Sequence, residues 1–100
     1  MSGVLERSLF STSTHFSLRF RKKNQETSGF SVVVSKKIEK TAVRRNLLKR
    51  RVYEAIQKLL PHQTEVVQGV VFAKKGSNKL SFKEIEEEIK TLFKKAKLIS

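Results

Sequence analysis

From Val32 to Ile56 the chain reads VVVSKKIEKTAVRRNLLKRRVYEAI. A β-branched run passes through a short polar link into a helical repeat, and that change of period organises the rest. Phe30–Lys36 (FSVVVSK) has the residue types of a strand. Thr41 is suited to cap a helix running to about Leu60, where Pro61 cannot continue the hydrogen-bond ladder. Leu48, Val52, Ala55, Ile56 and Leu59 recur at i, i+4, i+7, i+8 and i+11, which predicts a core-facing stripe. Arg45, Lys49 and Tyr53 line a neighbouring stripe with Asn46 and Arg50 beside it. The helix therefore carries a core side and a wide cationic side.

Upstream, His15–Arg21 (HFSLRFR) alternates with period two, placing Phe16, Leu18 and Phe20 on one strand face and Ser17, Arg19 and Arg21 on the other. The polar stretch Lys22–Gly29 reads as a turn, so this strand and Phe30–Lys36 are expected to pair as an antiparallel hairpin. Leu9–Ser13 adds a short edge strand before them. Downstream, Val66–Ala73 (VVQGVVFA) is nearly continuous in apolar residues, the pattern of a strand buried on both faces. Ser81 and Glu84 have capping-box spacing, and Leu80 is placed to staple onto Ile85. Ile85, Ile89, Leu92, Phe93 and Ala96 then mark the buried stripe of a second helix. Strand, strand, helix, strand and helix around one core make an α+β two-layer sandwich the economical architecture.

A chain of 100 residues with 38% hydrophobic content supports one domain, taken as residues 1–100. Its formal net charge is +13 and its pI near 10.4. Residues 36–51 hold eight Lys and Arg against one Glu, or +7 of that excess. A run of charge is usually a solvated face, but this concentration favours a binding stripe for a polyanion. Nucleic acid is the leading candidate and an anionic membrane surface the alternative. With no cysteine, disulfides and thiolate chemistry are excluded, which suits a reducing compartment. The apolar runs are too short to span a bilayer, and Met1–Phe10 lacks an apolar signal core, so an intracellular, soluble chain is expected.

His15 and His62 each lack a carboxylate or second histidine at useful sequence spacing, so a protein-borne acid–base pair is poorly supported. The glutamates at 84 and 86–88, with Lys94, Lys95 and Lys97 at the other end, complement the helix dipole and fit capping better than metal binding. Lys74 and Lys75 either extend the basic surface or solubilise a strand end. Phe16, Leu18 and Phe20 read first as core, with a stacking platform for unpaired nucleotides as the alternative.

Val34-Ser35-Lys36-Lys37, followed by Ala42-Val43-Arg44-Arg45-Asn46-Leu47-Leu48-Lys49-Arg50 and Glu54, resembles the signature of the bacterial ribonuclease P protein component. The match covers about a quarter of the chain. Leu47 stands where the family often has a third basic residue, and Tyr53 where it often has Arg. The resemblance implies a ribosomal protein S5 domain 2-like two-layer α/β sandwich with a left-handed β-α-β crossover between the Phe30 and Val66 strands. The family's opening helix is expected to be shortened or missing here. It further implies a protein cofactor of an endoribonuclease whose chemistry is carried by RNA, removing the 5′ leader of precursor tRNA in the cytoplasm. Expected partners are the catalytic RNA and precursor tRNA, with no membrane and no obligate protein partner. Magnesium would be held mainly by the RNA, with no organic cofactor.

Carried onto this chain, Arg45, Asn46, Lys49 and Arg50 would grip the catalytic RNA, supported by Lys36, Lys37, Arg44, Arg51 and Tyr53. Phe16, Arg19, Phe20 and Arg21 would be candidate leader contacts. No protein side chain is assigned to catalysis. The residue types suit these roles without the family: cations neutralise phosphates, guanidinium forks hold them bidentately, and Asn46 offers both donor and acceptor. A ribosomal or other structural RNA-binding protein is the first rival. A basic amphipathic helix for a membrane or partner is the second, and it requires the apolar side of the helix to be free.

Overall fold

A computed structural model describes residues 9–22, 29–62 and 66–99. The elements run β1 (Leu9–Thr12), β2 (Phe16–Lys22), β3 (Gly29–Val33), α1 (Ala42–Leu59), β4 (Val67–Ala73) and α2 (Phe82–Lys95), with one-turn 3₁₀ segments at Leu60–His62 and Ser77–Lys79. Residues 1–8, where the family's opening helix is expected to be shortened or missing, and most of the Lys22–Gly29 turn lie outside the described residues.

The sheet order is β1-β2-β4-β3. β2 pairs antiparallel with β1 on one side and with β4 on the other, while β3 pairs with β4 in parallel. The expected β2–β3 hairpin is therefore wrong. β4 takes the slot between them, since a central slot satisfies the backbone of this most apolar strand along both edges. α1 is the connection between the parallel pair β3 and β4, as parallel neighbours require.

Both helices cover one face of the sheet, so strand alternation decides what is buried. Phe16, Leu18 and Phe20 of β2, Val32 of β3 and Val67 and Val71 of β4 form the core with Leu48, Val52, Ala55 and Ile56 of α1 and Ile85, Ile89, Leu92 and Phe93 of α2. The apolar side of α1 is thus packed, which removes the condition for a free amphipathic helix. β4 is not buried on both sides as expected: Gln68 and Phe72 point to the uncovered face and are exposed, with Val70 half-buried beside them. No element crosses that face among the described residues.

Gly69 sits at the centre of β4, opposite Phe20 on one side and Phe30 on the other. A Cβ there would stand 3.0 Å from the Phe30 ring and 3.1 Å from the Arg19 carbonyl oxygen. The missing side chain lets the Phe30 ring lie over the strand and reach Phe93, with ring centroids 5.2 Å apart.

The helix ends follow the sequence. Thr41 caps α1, its Oγ1 accepting from the Arg44 N–H. The capping box of α2 is complete: Ser81 Oγ accepts from the Glu84 N–H, and Glu84 Oε1 accepts from the Ser81 N–H at 2.9 Å. These bonds, the one from the Ser81 backbone first, hold the Glu84 carboxyl below its ordinary pKa. α2 ends in a Schellman motif, with the Leu98 N–H donating to Phe93 O and the Lys97 N–H to Lys94 O, both at 3.0 Å, and Lys97 left-handed at φ 61°.

Candidate nucleic-acid interface

The strand-to-helix link sets the cationic side chains on one flank of the molecule. After β3, the Ile38 and Glu39 N–H groups donate to Ser35 O, folding Lys36–Ile38 into a turn with Lys36 and Lys37 exposed. α1 then rises from Thr41 with its apolar stripe packed. Arg44, Asn46, Arg50 and Tyr53 are exposed, and Lys49 and Arg51 half-buried. Among the described residues the only ion pair on this stripe is Arg50 Nε to Glu54 Oε1 at 3.6 Å, between two exposed side chains. Such a pair contributes little and yields readily to a phosphate. The α2 glutamates do not neutralise the stripe; Glu86 pairs with Lys58 instead.

Arg45 differs from the expectation of a free phosphate fork. Its Nη1 donates to Glu39 O at 3.1 Å and Lys40 O at 3.0 Å. The guanidinium thus braces the link ahead of the helix and satisfies two loop carbonyls. Two apolar side chains also stand among the cations: Val43 is 79% exposed and Leu47 46%. Their helical positions could have revealed this, since neither falls on the Leu48–Val52 stripe.

The uncovered sheet face is a second surface. Arg19 and Arg21 are exposed on it, whereas Phe16 and Phe20, at 0% and 5% exposure, lie under the helices. The aromatic leader contacts are corrected accordingly: the buried rings have no free face to stack on. Phe10 and Phe72, which the sequence reading passed over, are the aromatics on the open side. Arg19, Arg21, Ser31, Gln68, Val70 and Phe72 line an open depression there of about 370 Å³. Strand parity held the signal for Phe72, but reading β4 as doubly buried concealed it.

The far end of the sheet carries a polar tie that spacing did not reveal. Glu88 of α2 accepts from Ser13 Oγ at 2.7 Å and from the His15 backbone N–H, and meets His15 Nδ1 at 2.9 Å. Burial raises the Glu88 pKa, but the bonds from His15 and Ser13 outweigh it and hold the group below its ordinary value. Lys74 Nζ donates to Thr12 Oγ1 and to Ser13 O, so this lysine fastens the β1–β2 turn. Among the described residues no group of three or more His, Cys, Asp or Glu is arranged to hold a metal ion.

Fold and surface together define a small basic α+β sandwich that presents one cationic helix beside an uncovered strand face. The family model described as Ribonuclease P matches residues 2–97, and the chain belongs to that family, as a relative of its protein components. It is 35% identical over 72 residues to the ribonuclease P protein component of Microcystis aeruginosa, covering 72% of this chain and 60% of that protein. The corresponding protein of Latilactobacillus sakei is 33% identical over 81 residues, 81% of this chain and 67% of that one. The match to the Microcystis protein thus spans less than two thirds of its length. In fold, the chain superposes on the Staphylococcus aureus RNase P protein with a TM-score of 0.82 at 19% identity, covering 99% and 90% of the two chains. The Thermotoga maritima RNase P protein, solved with 1-(4-fluorophenyl)-2-thiourea, gives 0.81 at 25% identity, covering 95% and 89%.

Proposed function

We propose that this chain is the protein subunit of a ribonuclease P, binding the catalytic RNA and helping it hold precursor tRNA for endonucleolytic removal of the 5′ leader. The observation that carries the reading is the row of cations at Lys36, Lys37, Arg44, Lys49, Arg50 and Arg51, of which Arg50 alone is ion-paired among the described residues. Two polyanions must approach each other in such an enzyme, and a +13 protein offsets their repulsion. Arg44, Asn46, Lys49, Arg50 and Arg51, with Lys36 and Lys37 at the helix entrance, face the catalytic RNA. Arg19 and Arg21, together with the open-face aromatics Phe10 and Phe72, face the leader.

Catalysis belongs to the RNA. Magnesium would be held mainly by the RNA, where it would supply activation of water and stabilisation of the leaving oxygen. The protein supplies charge and position, and acts in the cytoplasm, where precursor tRNA is processed.

Reconstitution tests the reading. Adding the protein to its cognate catalytic RNA at low magnesium should stimulate leader cleavage. RNA binding without stimulation would instead favour a ribosomal or other structural RNA-binding role.

A further inference from the structure

We infer that the cleft between α1 and the Ser77–Lys79 turn is a pocket for one unpaired guanine of an RNA partner. It is lined by Glu39, Arg44, Leu47, Leu48, Arg51 and Asn78 and has a volume of about 290 Å³. That is the small end of ligand clefts, near the roughly 300 Å³ at which sites begin to bury a compact ligand. The inference rests on the RNA-binding reading above and names what the cationic flank would read rather than merely hold.

The chemistry of the lining narrows the ligand. Arg44 and Arg51 are two helical turns apart on one face of α1 and flank the cleft. Neither is ion-paired with a described residue. Leu47 supplies an exposed apolar wall. On the opposite side Glu39 Oε2 accepts from Asn78 Nδ2 at 3.0 Å, which fixes the carboxylate in place.

A bare phosphate would want donors only, and Glu39 would repel it. A cationic ligand would be opposed by the arginines and by Lys36, Lys37 and Lys40. What fits is a flat group on an anionic backbone whose edge presents two parallel donors. Guanine does so with N1–H and the 2-amino group, matched to the two carboxylate oxygens; adenine, cytosine and uracil do not. The arginines would then take the flanking phosphates while Leu47 packs against the ring.

The test is binding of fluorescein-labelled single-stranded pentanucleotides to the full chain at low salt, read by anisotropy. One carries a central guanosine among adenosines, one inosine at that position, and one adenosine throughout. Inosine lacks only the 2-amino group. The guanosine strand should bind about tenfold more tightly than the other two. Glu39→Gln keeps an acceptor for Asn78 but loses the carboxylate pair. It should bring the three strands within about twofold of one another with the thermal midpoint unchanged, and the general gain from one fewer negative charge cancels in the ratio. No guanosine preference in the natural chain, or a preference that survives Glu39→Gln, overturns the pocket while leaving the RNA-binding reading intact. Failure of all three strands to bind overturns both.

Discussion

Gly69 and Glu88 show how much depends on single side chains, or on their absence. A Cβ at Gly69 would press against the Phe30 ring at 3.0 Å and the Arg19 carbonyl oxygen at 3.1 Å, tighter than ordinary van der Waals contact. Gly69→Ala should therefore cost about 1–3 kcal/mol, the range for overpacking a filled core, measured as a lower denaturation midpoint. Glu88 works through charge. Its pKa lies below the ordinary 4.5, so its bonds stabilise the fold above that pH and are lost as pH falls through the folded value. Stability should fall below about pH 4.5, and Glu88→Gln should flatten that dependence while lowering stability near neutrality. Phe16 and Phe72 separate the two faces of the sheet. Phe16→Ala should cost about 3–5 kcal/mol, while Phe72→Ala should leave stability within about 1 kcal/mol. At this scale the sequence is an uneven guide. Caps declare themselves because their partners are three residues apart, whereas His15 and Glu88 are 73 apart and meet only through the fold.

The helices were legible from their periodicity and caps, and their stripes are packed as the pattern requires. The strands were legible as strands but not in their pairing. Alternation tells which residues share a face and says nothing of which neighbour completes the ladder. A short polar turn between β2 and β3 made a hairpin the local answer, and a strand 34 residues beyond β3 displaced it. The exposed cations of α1 were readable for the same reason as its core stripe, while the use of Arg45 as a brace was not, since its partners are loop carbonyls. Replacing Arg44 and Arg50 together by Ala should weaken RNA binding and reduce its salt slope by about 0.7–0.9 per lost phosphate contact, with stability little changed. An unchanged slope would place the RNA on another surface. Arg45→Ala should in addition lower stability, because it frees the Glu39 and Lys40 carbonyls.

For the molecule as a whole, a net charge of +13 on 100 residues acts in two opposed directions. Salt screens the self-repulsion of the folded state and equally screens attraction to a polyanion. Raising sodium chloride from roughly 0.02 to 0.15 M should therefore raise the melting temperature and weaken RNA affinity in the same series. A melting temperature that falls with salt would mean that favourable charge pairs outweigh the repulsion.

The place of β4 has a consequence for how the protein comes into being. Synthesis delivers β1, β2, β3 and α1 before the strand that must lie between β2 and β3. Until Ala73 has left the ribosome, β2 and β3 each lack the neighbour that satisfies the backbone along one margin in the finished sheet. The sheet then closes in one late event that joins distant parts of the chain, the kind of step that makes folding slow and all-or-none. A nascent protein this cationic would spend that interval beside ribosomal RNA.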